Sequence, residues 1–299
     1  MITDRFGRPL TSMRISITRR CNLGCIYCHR EGIKKGEGEM TSQEIERVVR
    51  LCARFGVKKV KLTGGEPLLR PDVSEIVSRI AGVDGIKDVS MTTNGVLLEE
   101  HAAALKEAGL DRINVSLDTL RPETFQEITR GGELARVLKG IDKALEAGLR
   151  PVKLNMVVMK GINEKEVKDL LRFASREGLV LQLIELMDAE REFFQRYFYN
   201  LDSLEREFEE GAEEVLVRGL MQGRRKYTLH GTEVEVIKPM HNTEFCAHCT
   251  RIRVTADGKF KPCLMRTDNT VDFLSLIRGG APEAELERAF LEAVNKREP

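Results

Sequence analysis

The chain has no tryptophan and only 5% aromatic residues, and it shows no excess of either charge: 48 Lys and Arg stand against 47 Asp and Glu in 299 residues. That balance creates no global field to draw the protein to nucleic acid or to a membrane surface, and neither partner is expected. Long apolar runs are missing as well. None reaches the ~18 residues a membrane-crossing helix needs, and the first residues lack the apolar core of a secretory signal, so the expected compartment is the cytoplasm. Seven cysteines are too sparse in a chain of this length for a disulfide scaffold. The 32% charged composition without Trp leans toward a thermophile. Such a chain has enough length to bury a large core as one domain, or as one domain plus an appendage.

What cysteine there is falls into two triplets near opposite ends: Cys21, Cys25 and Cys28, then Cys246, Cys249 and Cys263. The seventh, Cys52, sits in the helical stretch from Ile45 and reads as a core residue. Each triplet offers three thiolates where a closed tetrahedral site takes four, which leaves one coordination position for something other than protein. The spacing Cys-x3-Cys-x2-Cys is tight enough for one loop to wrap a compact cluster such as a 4Fe-4S cube, with Gly24 relieving the backbone crowding. The same residues also suit a zinc site completed by His29, or a set of buried thiols. For the second triplet the alternatives are a zinc knuckle completed by His241 or His248, or a structural cap.

From Arg14 to Glu185 short β-branched runs alternate with amphipathic stretches. The pattern predicts strands at Arg14–Thr18, Val60–Leu62, Asp88–Met91, Arg112–Ser116, Val152–Val158 and Val180–Glu185. Helices are predicted near Ser42–Phe55, Asp72–Ile80, Leu98–Ala108, Glu133–Ala147 and Lys165–Glu177. Thr41-Ser42-Gln43-Glu44 resembles a capping box, and Gly56, Gly109, Gly148 and Gly178 sit where helices stop. Strict alternation argues for a parallel sheet, and six units are too few for an eight-stranded barrel. The expected class is α/β: a partial (β/α)6 TIM-type barrel over residues 1–190, then a cluster-binding extension over 191–299 that closes the barrel.

In such folds the loops after the carboxyl ends of strands form the active face. The first triplet is joined there by Thr63-Gly64-Gly65-Glu66-Pro67, Thr92-Thr93-Asn94-Gly95, Ser116-Leu117-Asp118 and Glu185-Leu186-Met187-Asp188. Gly64-Gly65 reads either as an ordinary turn or as bare backbone that a ligand approaches. Ser116 and Thr92 offer hydroxyls, and Asp118 reads as a structural cap.

An aromatic residue before the last Cys of the first triplet, followed by Gly-Gly-Glu-Pro, resembles the radical S-adenosylmethionine enzymes. Further stretches are similar to the molybdenum-cofactor biosynthesis protein A family, the GTP 3′,8-cyclases. They are Asp4-Arg5-Phe6-Gly7-Arg8, Arg14-Ile15-Ser16-Ile17-Thr18, Arg112 to Asp118, Lys160-Gly161-Ile162-Asn163, Phe245 to Arg253 and Gly258 to Cys263. The resemblance covers nearly the whole chain. It implies that Cys21, Cys25 and Cys28 hold a 4Fe-4S cluster whose open iron binds S-adenosylmethionine, with Tyr27, Gly65, Ser116 and Met187 lining that cofactor. It implies a second 4Fe-4S cluster on Cys246, Cys249 and Cys263, whose open iron contacts the purine of GTP. Reductive cleavage then yields a 5′-deoxyadenosyl radical that takes the 3′ hydrogen of GTP, and the ribose carbon attacks C8. The product is (8S)-3′,8-cyclo-7,8-dihydroguanosine 5′-triphosphate, on the way to molybdopterin or tungstopterin.

By the same pattern Arg14, Lys61, Thr92, Lys153, Arg251 and Arg253 are the GTP contacts, which suits an anionic triphosphate. The run Arg224-Arg225-Lys226 lies in a predicted hairpin loop between Gly223 and Tyr227 and reads as a solvated face. Two departures stand out: many relatives have Arg where this chain has Lys61, and many carry a Gly-Gly tail where this chain reads Asn295-Lys296-Arg297-Glu298-Pro299. The family implies an electron donor protein and often forms homodimers. Two other functions fit parts of the pattern: a peptide- or tetrapyrrole-modifying twin-cluster enzyme, in which more Cys is usual, and a zinc-stabilised binding module or electron carrier.

Overall fold

Parallel strands separated by helices make up the first part of the computed structural model, which describes residues 1–29, 38–219, 223–240 and 242–298. His241, weighed above as a zinc ligand, lies outside the described residues, as does Pro299. Strand β1 (Ser12–Ser16) leads through the first Cys triplet to helix α1 (Ser42–Arg54). There follow β2 (Lys59–Thr63), α2 (Val73–Ala81), β3 (Asp88–Thr93), α3 (Leu98–Glu107) and β4 (Arg112–Ser116). Next come α4 (Pro122–Thr129), α5 (Leu134–Glu146), β5 (Val152–Val158), α6 (Val167–Glu177) and β6 (Val180–Glu185).

The remainder adds α7 (Arg191–Tyr197), α8 (Asp202–Gly211), β7 (Glu214–Val217), β8 (Arg225–Leu229) and β9 (Thr232–Ile237). It ends with α9 (Thr243–Ala247), β10 (Arg251–Val254), β11 (Lys259–Lys261), β12 (Val271–Asp272), α10 (Leu274–Arg278) and α11 (Glu283–Asn295). Among the described residues no helix is long and apolar enough to cross a membrane.

All the described strands form one sheet in the order β12-β11-β10-β1-β2-β3-β4-β5-β6-β9-β8-β7. The six predicted strands stand side by side in chain order and pair in parallel, as an open, partial barrel of the expected kind. The later chain widens it on both margins, with β10 parallel to β1 and β9 parallel to β6. Only the outermost pairs are antiparallel.

The pleat explains how such a sheet hosts a site. Met13 and Ile15 of β1, and Val60 and Leu62 of β2, are buried in the core, while Arg14 and Lys61 between them line a central cavity. Successive side chains on a strand take opposite faces, so an apolar face packs on the helices and a polar face is left for the interior.

Local signals hold where they were read. The capping box forms: Thr41 Oγ1 accepts from Glu44 N at 3.2 Å, and Glu44 Oε2 accepts from Thr41 N at 2.8 Å. Helix α6 ends on Gly178 at φ 65°, a left-handed position that a side chain resists. Cys52 is fully buried. Strand β1 lies two residues earlier than predicted, because the Thr18 carbonyl turns out of the ladder to accept from Gly65 N at 2.9 Å.

Helix α4 was not anticipated; it starts with Pro122 at its first position, where a missing N–H costs nothing. The last helix folds back on the first. Phe290 lies 5.2 Å from the partly buried Phe55 and 5.4 Å from Phe260, and the fully buried rings of Phe290 and Phe260 each contribute roughly 1.5–3 kcal/mol.

Candidate functional site

The loop after β1 carries the first triplet, and three neighbouring loops fix its course. Gly24 N donates to Thr129 O at 3.0 Å and Ile26 N to Ile128 O at 2.9 Å, so the end of α4 pins one side. On the other side Glu66 N donates to Arg20 O at 2.7 Å. A Cβ on Gly65 would stand 2.1 Å from the Arg20 carbonyl oxygen, and one on Gly64 would stand 2.4 Å from that of Thr18. The glycine pair therefore lets the β2 loop lie directly against the triplet's own backbone. Glu66, fully buried, accepts from Thr93 Oγ1 at 2.7 Å, Asn94 N at 2.7 Å and Leu68 N at 3.1 Å, tying the β2 and β3 loops together.

The Tyr27 hydroxyl donates to Asp118 Oδ2 at 2.7 Å, and Asp118 Oδ1 accepts from Val157 N at 2.8 Å. Burial pushes the Asp118 carboxyl up to about 6, against the pull of those two bonds. Burial also pushes the Cys25 thiol up to about 12, and the charges of Asp118, Cys28 and Cys21 act the same way. The three sulfurs are thus close enough to feel one another. A buried thiol becomes a ligand only where positive charge offsets its desolvation, and bound iron supplies such charge. Cys25 is half-buried, with Cys21 and Cys28 exposed beside it, and three thiols so grouped fit an iron-sulfur cluster.

The second triplet flanks β10, the parallel neighbour of β1, at the opposite end of the strands from the first. Asn242 caps the short helix α9, its Oδ1 accepting from Phe245 N at 2.9 Å, and so presents Cys246. Cys249 follows one turn later, and Cys263 comes from the loop after β11. Arg8 NH1 donates to Cys246 O at 2.9 Å, and Arg297 donates to Cys249 O. Burial and the charges of Cys263 and Cys249 push the Cys246 thiol up. Burial acts the same way on Cys249, but Arg251 and Arg297 outweigh it and leave that thiol below its ordinary value. His248 is exposed, its Nδ1 3.0 Å from the Glu244 carbonyl. Among the described residues no three His, Cys, Asp or Glu side chains meet as tightly as a single metal ion requires.

Between the triplets lies a cavity of about 630 Å³. Arg14, Lys61, Thr92, Lys153, Arg251 and Arg253 all line it, together with Tyr27, Met187 and the thiols Cys246, Cys249 and Cys263. Cys21, Cys25, Cys28, Gly65 and Ser116 are not among the lining residues; Tyr27 and His29 stand there for the first loop. Register explains the gathering of cations: Arg253, Arg14 and Lys61 are direct neighbours across β10, β1 and β2. Burial, then Arg14, Arg112, Arg251 and Lys153, push the Lys61 ammonium well below its ordinary value. Lys61 Nζ donates to the neutral Asn114 Oδ1 at 2.6 Å, so its charge is met by a dipole.

One expectation is overturned in part. Arg225 and Lys226 belong to strand β8, and Arg225 is exposed as expected, but Arg224 is no solvated side chain. Its side chain is only 10% exposed, it lines the cavity, and its NH1 lies 3.5 Å from Glu235 Oε2. The buried Glu235 on β9 draws it inward, along with Lys153 and Arg218. Sequence reading missed Arg218, Glu235 and the pocket-lining Gln182 as site residues. The one local sign was a carboxylate and an amide among apolar strand residues. The tail also reaches the cavity: Arg297 and Glu298 line it, and Arg297 NH1 pairs with Asp4 Oδ2 at 3.2 Å.

The Radical SAM superfamily profile matches residues 15–174, and the Molybdenum Cofactor Synthesis C profile matches residues 179–299. The chain belongs to the radical SAM superfamily, whose members work with a 4Fe-4S cluster and S-adenosylmethionine. A probable GTP 3′,8-cyclase of Methanothermobacter thermautotrophicus is 49% identical over 301 residues, covering 100% of this chain and 98% of its own. Another, from Pyrococcus abyssi, is 52% identical over 308 residues, covering 100% and 99%. Within the superfamily, then, the chain is a member of the GTP 3′,8-cyclase family.

Among solved structures, Streptococcus suis SuiB bound to precursor peptide SuiA has a TM-score of 0.64 at 18% identity, covering 86% of this chain and 60% of that one. The enzyme anSMEcpe with bound AdoMet has a TM-score of 0.65 at 17% identity, covering 96% and 80%. These two likenesses speak for the fold alone.

Proposed function

We propose that this chain converts GTP to (8S)-3′,8-cyclo-7,8-dihydroguanosine 5′-triphosphate, the opening step toward molybdopterin or tungstopterin. The observation that carries the reading is one cavity that joins the family's GTP-contact positions to the second Cys triplet and to Tyr27 and Met187. Cys21, Cys25 and Cys28 would hold the first cluster, with Tyr27, Gly65, Ser116 and Met187 against S-adenosylmethionine. When bound, that pair supplies a 5′-deoxyadenosyl radical.

The chain's own residues position and shield. Arg14, Lys61, Thr92, Lys153, Arg251 and Arg253 bind the nucleotide from the strands, whose rigid ladder holds their directions better than loops would. Burial of Lys61 and Arg251 beside the cavity lowers the local dielectric, which strengthens a cation's grip on phosphate. Cys246, Cys249 and Cys263 would hold a second cluster facing the purine. Residues 1–190 serve as the barrel and 191–299 as its cluster-bearing closure. Reduction calls for an external electron donor protein, and the proposed setting is a cytoplasmic homodimer.

The test is anaerobic reconstitution with iron and sulfide, followed by dithionite, S-adenosylmethionine and GTP. Formation of 5′-deoxyadenosine that depends on GTP, together with a cyclic nucleotide, is expected. Deoxyadenosine formation indifferent to GTP would count against the reading.

A further inference from the structure

A single buried carboxylate organises three cations on one side of the cavity. Glu235 of β9 has a fully buried side chain. Its Oε1 lies 2.8 Å from Lys153 Nζ and 3.2 Å from Arg218 NH2, and its Oε2 accepts from Gln182 Nε2 at 2.8 Å and lies 3.5 Å from Arg224 NH1. The two arginines come from the ends of the β7–β8 hairpin, where Arg218 N donates to Arg224 O at 2.9 Å. The hairpin thus acts as a two-pronged arm whose prongs meet over Glu235.

One negative charge faces three positive ones, so the cluster keeps a surplus. Burial would raise the Glu235 carboxyl, yet Lys153, Arg218 and Arg224 outweigh it and hold it down at about 2. Of the three cations Lys153 has the shortest contact to the carboxylate, at 2.8 Å. Arg218 is still 24% exposed, and both arginines line the cavity. Arg224 also lies over the Phe245 ring, 5.9 Å from its centroid, which fixes the guanidinium beside the residue preceding Cys246. Both guanidiniums stand in the same cavity as Arg14, Lys61, Arg251 and Arg253, the positions where the family pattern puts GTP.

We infer that Arg218 and Arg224 form a further anion-binding pair that grips the polyphosphate tail of a nucleoside triphosphate, a role resting on the cyclase reading for the identity of the nucleotide. The planar fork of each guanidinium matches phosphate oxygens bidentately, and Glu235 keeps the pair in place when the cavity has no anion in it.

The experiment uses the full chain, reconstituted anaerobically, and titrates GTP, GMP and inorganic tripolyphosphate by calorimetry. The variants are Arg218→Met, Arg224→Met and the Lys replacements at both positions. Either single Met variant leaves Glu235 with two cations, so the fold is retained; melting temperature and iron content check this. Each Met variant is expected to weaken GTP and tripolyphosphate about tenfold, the worth of one charge-assisted hydrogen bond, while GMP changes little. The Lys variants should recover part of the loss, because the charge returns without the fork.

Folded Met variants that bind tripolyphosphate and GTP as the parent does would overturn the inference and leave the cyclase reading standing. Tripolyphosphate binding that weakens in the variants, in a protein that fails to cyclise GTP, would uphold the anion pair and remove the cyclase reading instead.

Discussion

The Tyr27 hydroxyl donates a 2.7 Å hydrogen bond to Asp118 Oδ2, and this bond joins the loop after β1 to the loop after β4. Asn163 completes the joint, its Nδ2 donating to Asp118 O and to Val157 O at 2.9 Å each. The first Cys triplet is therefore braced from across the barrel. Tyr27→Phe removes one donor from a buried carboxylate, which is expected to cost about 1–3 kcal/mol. Anaerobic denaturant titration reads that loss. Iron release to a chelator should quicken in parallel, and an unchanged release rate would show that the bond does not steady the loop.

The glycine at position 65 leads to a second expectation. Gly65→Ala drives a methyl into the Arg20 carbonyl, 2.1 Å away and part of the backbone, so the triplet loop must shift. An overpacking penalty of about 1–3 kcal/mol is expected, with poorer cluster retention. Gly219→Ala is the control: among the described residues, its chain neighbours aside, no heavy atom lies within 4 Å of its Cβ position, and its stability should match the parent's. Equal iron content in the two variants would contradict the assigned role of Gly65.

Cysteine substitution separates the two triplets. Replacing Cys246, Cys249 or Cys263 by Ala should lower iron from about eight to about four per chain, since each cube holds four. S-adenosylmethionine binding should survive these changes, and cyclisation should not. Replacing Cys21, Cys25 or Cys28 should abolish both. Iron that stays at its parental level after the later substitutions would remove the second cluster.

Acid should dissolve the Glu235 centre in a defined window. The folded carboxyl is held at about 2, below the ordinary value of about 4.3. Because the folded value is the lower one, the pairing contributes fully above the unfolded value and is lost as pH falls through the folded one. The size is on the order of 3 kcal/mol. Glu235→Gln should therefore melt well below the parent at pH 7, and the gap should narrow as the pH is taken from about 4.3 toward 2. A gap that stays constant over that range would mean that the carboxylate is not held by its cations.

Much of the barrel was legible because its signals are local. Thr41 and Glu44 cap α1 through contacts three residues apart, and Gly178 ends α6 through its own backbone angle. Strands β4, β5 and β6 were bounded as found, since a parallel strand covered on both faces announces itself by apolar and β-branched residues. Helix α4 escaped because its eight residues hold only two strongly apolar ones, Phe125 and Ile128. Arg14, Lys61 and Lys153 were named by the family pattern alone, since a lone strand cation also reads as a solvated surface charge; Arg251 and Arg253 had the further mark of sharing one face of an extended segment. Arg218 and Arg224 carried no such mark, because a charged residue beside a turn looks the same whether it faces solvent or a buried carboxylate.

By itself, the order of residues determined the cysteine spacings, the alternation of strand and helix, and the family. Those depend on contacts between near neighbours in the chain or on motifs that stand whole in a few residues. Only the folded chain decided that β9 and β10 flank opposite margins of the barrel, that α4 pins the first cysteine loop, and that Glu235 of β9 meets Lys153 of β5. Each of these joins residues far apart in sequence. Pairing of that kind is settled by which surfaces and charges must be buried together, a property of the assembled sheet rather than of any one segment.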